Sequence, residues 1–219
     1  MLYLYALTEH PTAVPQTLGI DETPLAIEQL DTIDAVVGVV DSERVEPSES
    51  TILAHARVVD ALAALNAALL PARFGRGYPD AGALRHAVTE RADVLTQALD
   101  RVRGCLELGL RVLSHPPKDV AARENGREYM LGRLNERRRA ERLADELHAP
   151  LAALARAETR SVGATPQLLL SASYLVPREA VDGFRSAVHE LGEAHPDLTL
   201  ACTGPWPPYT FATAEIDPG

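Results

Sequence analysis

Seven histidines, at positions 10, 55, 86, 115, 148, 189 and 195, are the first residues to ask for chemistry. None stands in a helix-spaced pair and no cysteine cluster accompanies them. A zinc site draws at least two ligands from one tight spacing, so the pattern argues against a metal centre. Cys105 and Cys202 lie far apart in apolar stretches and read as buried thiols of a reducing compartment rather than a disulfide framework. Gly75-Arg-Gly77 opens like a phosphate loop, but neither glycine-rich phosphate-binding pattern continues from it. No G-x-S-x-G elbow occurs, and no serine, threonine or cysteine has a base partner encoded beside it. Glu107 is the only acidic side chain inside an expected strand, and its expected role is pairing with Arg73 or Arg111. An arginine fixed by the preceding proline would make a bidentate pair with such a carboxylate. Nothing among these residues assembles a catalytic constellation.

Two motifs carry more specific information. Leu70-Pro-Ala-Arg-Phe-Gly75 packs a proline, a cation, an aromatic and a glycine into six residues. Gly204-Pro-Trp-Pro-Pro-Tyr209 spends three prolines on one backbone path around the only tryptophan. Proline fixes φ near −65° and cannot donate to a sheet ladder, so the second motif is expected to be a rigid arm outside any sheet. Trp206 is expected to lie against the protein's own core, because an isolated chain gains by covering a large aromatic. Asn135-Glu-Arg-Arg-Arg-Ala-Glu-Arg142 could be taken for a nucleic-acid patch, but acidic residues interleave it, and a solvated helix face is the better reading.

The elements that must position these motifs follow from periodicity. Residues 2–7 read as a strand, and Asp34–Asp41, with its four valines, as a buried one. Between them the chain is turn-rich, with at most a short helix over Leu25–Leu30. A helix capped by Ser48 or Ser50 runs to Leu70, where Pro71 stops it. Residues 72–75 resume extended structure, and Arg76–Asp80 turns. Asp80 caps a second helix with Leu84, Val88, Leu95, Leu99 and Val102 on one stripe. Residues 105–113 alternate as a strand. His115-Pro-Pro117 is the best domain boundary, dividing the chain into 1–113 and 114–219. Residues 118–149 form a charged helix with pairs at Asp119/Arg123, Arg137/Glu141 and Arg142/Glu146, and Pro150 kinks it or starts another helix to about Thr159. Strand 167–176, a helix from Pro177 and strand 198–203 complete the chain.

Composition bounds the class. With 219 residues, 46% hydrophobic and 24% charged, the chain can bury a core without metal or disulfide. A net charge of −10 argues against broad binding to nucleic acid or to an anionic membrane. No apolar run approaches the roughly 20 residues of a membrane span, and no signal sequence precedes the first strand, so a cytoplasmic protein is expected.

Taken in order, these features resemble the gas vesicle protein F/L family (GvpF/GvpL). The Leu2-Tyr-Leu-Tyr5 strand, the valine-rich strand, His55 and Val58 of the first long helix, and Leu70-Pro-Ala-Arg-Phe-Gly75 resemble its N-terminal half. Gly104, Glu107 and Arg111 resemble its glycine-x-x-glutamate strand, Gly126-Arg-Glu-Tyr129 its glycine-x-x-tyrosine helix motif, and Gly204-Pro-Trp-Pro-Pro-Tyr209 its C-terminal signature. The resemblance implies an α+β protein of two domains. The first is ferredoxin-like, and the second is a ferredoxin-like variant with a long helical element. It implies a non-enzymatic accessory or minor structural protein without cofactors, which binds the small hydrophobic shell protein and other accessory proteins. The signature residues Pro71, Arg73, Phe74, Gly75, Glu107, Tyr129, Gly204, Pro205, Trp206, Pro207, Pro208 and Tyr209 become candidates for partner binding. Arg76 and Arg111 differ from the family's commoner residues and leave the F and L subtypes open. Two other classes compete: a small-molecule-binding regulatory module on a ferredoxin-like fold, and an enzyme built from distant residues.

Overall fold

The computed structural model describes residues 1–10, 14–41, 44–114, 126–163 and 167–212, and within these not the side chains of 126–129, 133 and 136. The chain divides into two compact units. The first holds Met1–Leu106 and the C-terminal residues from Trp206, and the second Glu107–Pro205. The expected boundary motif, His115-Pro-Pro117, lies outside the described residues, as does Asp119/Arg123.

In the first unit the strands are β1 (Leu2–Thr8), β2 (Leu25–Gln29), β3 (Asp34–Val39), β4 (Leu69–Pro71) and β5 (Gly77–Tyr78). They form one sheet in the order β2-β3-β1-β4, with β5 also paired to β1. Every residue of β1 from Tyr3 to Thr8 is buried, as expected of a central strand without a solvent face. The β1–β3 register runs antiparallel from Leu2↔Val39 to Thr8↔Asp34, with a bulge between Leu4 and Ala6. Helix α1 (Glu49–Leu65) starts at a capping box, in which the Ser48 side chain accepts from Thr51 N–H while the Thr51 hydroxyl serves the Ser48 backbone. Its buried face, Ala54, His55, Val58, Val59, Leu62 and Ala63, packs on Tyr3, Tyr5 and Val36.

Three expectations are corrected here. Residues 25–29 form strand β2, not a helix, because they pair with β3 from Leu25↔Gly38 to Gln29↔Asp34, and a complete ladder overrides weak local propensity. Helix α1 ends five residues early: both Asn66 N–H and its side-chain amide donate to Leu62 C=O, at 3.0 and 2.8 Å. This frees Leu69–Pro71 to pair with Ala6–Thr8. The single stripe after Asp80 is two helices, α2 (Ala81–Thr89) and α3 (Ala92–Val102), separated at Glu90-Arg91. Asp80 does cap α2, accepting from Ala83 N–H at 2.8 Å.

The second unit takes most of β6 (Cys105–Ser114), then α4 (Gly126–Ala152), β7 (Ala157–Val162), β8 (Leu168–Pro177), α5 (Val181–Ala194) and β9 (Leu198–Trp206). Its sheet order is β7-β8-β6-β9, which with the β-α-β-β-α-β sequence of elements is a ferredoxin-like order. The first unit has the equivalent order, with its β1–β3 pair antiparallel as that order requires, but a 3-10 turn at Ile20–Glu22 stands where a first helix would be. A helix continuing from Pro150 to Thr159 is not formed; Pro150 lies inside α4 and residues 157–162 are strand β7. That strand has no apolar alternation to announce it. It is held by an antiparallel ladder to β8, from Ala157↔Leu175 to Val162↔Leu170, and by Arg160 donating to Asp145 at 2.7 Å.

Candidate functional site

The loop 72–76 is fixed before any partner arrives. Ala72 N–H donates to Tyr5 C=O at 2.8 Å, and Leu4 N–H donates to Arg76 C=O at 2.9 Å, so both ends are tied to β1. Arg76 N–H returns to Arg73 C=O at 3.3 Å, closing a turn rather than the extended stretch expected from sequence. Gly75 sits third in that turn at φ 86°, a conformation that a side chain resists.

Beneath the loop lies a buried relay. His55 Nε2 is 3.1 Å from Ala72 C=O, and since a carbonyl can only accept, Nε2 carries the proton. His55 Nδ1 therefore accepts from the Tyr3 hydroxyl at 2.9 Å, and the Tyr3 oxygen accepts from Gly75 N–H at 3.0 Å. One histidine and one tyrosine thus clamp both sides of the loop. Tyr5 stacks on His55 with centroids 5.7 Å apart and accepts from Ile20 N–H at 2.7 Å, while Phe74 meets the His55 ring edge-on at 5.8 Å. Burial pushes the His55 pKa down to about 4, against a smaller opposing effect of its bond to Ala72. It also pushes Tyr3 up to about 12. The imidazole is thus neutral near pH 7, as the relay requires.

The C-terminal motif reaches the same place. Leu4 and Leu7 of β1, Leu70 and Pro71 of β4, Ala72, Arg73, Arg76, Leu95 of α3, Tyr209 and Ala212 line one shallow cleft. Beneath it Leu4, Leu7, Leu70 and Leu95 are almost fully buried, and its rim carries two arginines and a phenol. Tyr209 keeps 40% of its surface open, yet desolvation of its hydroxyl end raises its pKa, with Asp60 adding to the effect. Phe211 and Ala212 N–H both donate to Pro208 C=O, at 3.2 and 2.9 Å, and Tyr209 N–H to Pro207 C=O at 2.8 Å.

The expected arm is overturned in two respects. Gly204, Pro205 and Trp206 belong to β9. This is an edge strand, where a proline lacking N–H can be tolerated. Trp206 is not packed away but 51% exposed, whereas Phe211 is 4% exposed and Pro207 and Pro208 are buried. The prolines and phenylalanine supply the anchor, so the tryptophan is left on display.

Of the other candidates, Arg73 is exposed on the turn and Glu107 is buried in β6; the Tyr129 side chain lies outside the described residues. Sequence reasoning gave no role to His148, which repeats the His55 arrangement in the second unit: its Nδ1 is 2.8 Å from the Tyr174 hydroxyl, and its Nε2 is 3.6 Å from Glu158. Its position in the apolar stripe Ala144, Leu147, Leu151 was the available signal. Among the described residues no group of three or more metal-ligating side chains gathers, and no helix is long and apolar enough to cross a membrane.

The family profile described as "Gas vesicle synthesis protein GvpL/GvpF" matches residues 1–213. The chain belongs to the GvpL/GvpF family. Both branches appear among its relatives. Gas vesicle protein F2 of Halobacterium salinarum is 30% identical over 186 residues, covering 84% of this chain and 78% of the relative. Gas vesicle protein L of a Streptomyces species is 32% identical over 188 residues, covering 75% and 70%. The fold agrees with crystal structures of GvpF from Anabaena sp. PCC7120 (TM-score 0.81, 21% identity, 98% of this chain and 96% of that one) and from Microcystis aeruginosa (TM-score 0.80, 21%, 97% and 98%). Membership in this family places the protein in gas vesicle formation.

Proposed function

We propose that this GvpL/GvpF protein is a non-enzymatic, cytoplasmic accessory or minor structural component that binds the small hydrophobic shell protein and other accessory proteins during vesicle assembly. The binding site is the first-unit cleft. The observation carrying this reading is the convergence of the 70–76 loop and the residues around Tyr209 on one cleft above buried leucines. A cleft whose rim presents two arginines and a phenol over a buried apolar base can take the polar and aromatic groups of an amphipathic protein segment. The clamp on the loop means that little ordering is left to be done on binding, which favours affinity.

Co-expression with the shell protein in a host lacking vesicles tests it. The chain should co-purify with shell protein, and Tyr209→Ser combined with Arg73→Ser should reduce that recovery severalfold. Tyr209→Ser alone, at an already exposed position, should leave the circular dichroism unchanged. Undiminished recovery with both variants, or vesicles formed equally well without this chain, would remove the reading.

A further inference from the structure

The first-unit cleft is small and one-sided in charge. Its volume is about 40 Å³, space for roughly three water molecules, so it admits the head of one side chain and not a helix. Arg73 and Arg76 line it, and among the described residues no aspartate or glutamate does, within a chain of net charge −10. The two arginines end a turn closed by Arg76 N–H donating to Arg73 C=O at 3.3 Å, so the backbone fixes the distance between them. Arg73 is exposed and Arg76 half-buried. A guanidinium carries five N–H donors in a planar fork, so a bond within the protein does not exhaust it. The remaining polar lining group is Tyr209. Burial, with Asp60 of α1 adding to it, raises the pKa of its phenol, which therefore keeps its proton and can donate.

We propose that the cleft is a carboxylate site, filled in the complex by one aspartate or glutamate side chain of the shell protein. The source of the carboxylate rests on the reading of this cleft as the client site. Size and charge select the occupant together. A carboxylate has three heavy atoms, and its planar pair of oxygens matches a guanidinium fork in geometry as well as charge. A lysine or arginine of the client would meet two like charges. The neutral amide of the same shape would present an N–H₂ group to donors that cannot accept from it. Elsewhere the acidic surface of the protein repels the same side chain, so the arginine rim also sets where the client docks.

Two measurements on the full chain test this. In the first, the shell protein is co-expressed with each of its aspartates and glutamates replaced in turn by asparagine or glutamine. One replacement should lower recovery of the complex at least fivefold. Arg73→Gln in this chain should do the same, and the two changes together should lower it no further than either alone. Arg73→Lys/Arg76→Lys keeps the charge and loses the fork, so its recovery should fall between. Trp206→Ala, exposed and outside the cleft lining, should leave recovery unchanged. The second measurement needs no shell protein: the amide NMR signal of Gly75 is followed as N-acetylglutamate amide or N-acetylglutamine amide is added. The acid should give a saturable shift that Arg73→Gln abolishes, and the neutral amide none. No saturable shift with the acid, an equal shift with the amide, or equal saturation by inorganic phosphate overturns the carboxylate site. Full recovery with every acidic replacement overturns the inference while leaving the shell-protein reading intact. A saturable shift with the acid, but no recovery of unaltered shell protein, supports the carboxylate site and removes the shell protein as its source.

Discussion

His55 is where one side chain sets a property of the whole fold. Its pKa falls from 6.5 to about 4 because burial penalises the charged ring. Between those values the unfolded chain binds a proton that the folded chain does not, so stability is complete above pH 6.5 and is lost as pH falls toward 4. The loss is about 3 kcal/mol. Thermal melts from pH 7.5 to 4.5 should show this decline, and His55→Gln should flatten it. Glycines at two positions make a second comparison. A Cβ at Gly75 would meet open space, so Gly75→Ala should cost only the left-handed backbone penalty, about 1–2 kcal/mol. A Cβ at Gly19 would collide with the Tyr5 hydroxyl, the group that accepts from Ile20 N–H. Gly19→Ala should therefore be the more destabilising change in urea titrations; the reverse order would mean that Tyr5 moves aside freely.

Among the elements, the C-terminal turn and α4 differ in what they bury. Phe211→Ala should cost about 3–5 kcal/mol as a core truncation, whereas Trp206→Ala should cost no more than about 1 kcal/mol, as at other exposed positions. Trp206 emission in the isolated protein should be that of a solvated indole and accessible to acrylamide; a blue-shifted, protected emission would contradict its exposure. In α4, Arg137 reaches Glu141 at 3.0 Å, both exposed, and Arg138 and Arg139 face solvent. Arg138→Gln/Arg139→Gln should shift unfolding free energy by less than about 1 kcal/mol. The exposure of Arg137, Arg138, Arg139 and Arg142 agrees with the solvated face read from sequence.

Across the molecule, legibility followed how local each signal is. Strands β1, β3, β6 and β8 and helices α1 and α5 were readable because their burial is written in their own periodicity. Strands β2 and β7 were not: Leu25–Gln29 reads equally well as helix, and Ala157–Val162 is polar on both faces, so only a neighbouring strand decides them. The relay was half visible, with Tyr3 and His55 both noted but nothing to say that they share a proton. The cleft was invisible, since Pro71 and Tyr209 lie at opposite ends of the chain and meet only in the folded unit. A chain ending at Pro205 should keep the second unit, yet melt at a lower temperature in the first for want of Pro207, Pro208 and Phe211. Calorimetry would show this, and an unchanged profile would mean that the final turn contributes nothing.

Because the cleft takes its wall from Tyr209 while its floor comes from residues before 96, its completion is a matter of timing. At a translation rate of about 5–20 residues per second, the stretch from Glu107 to Pro205 occupies the ribosome for roughly 5–20 s. Throughout that interval the nascent first unit has the floor but not the wall. If the cleft is the receptor proposed above, a hydrophobic client made at the same moment meets it unfinished, and capture waits until Tyr209 has been added.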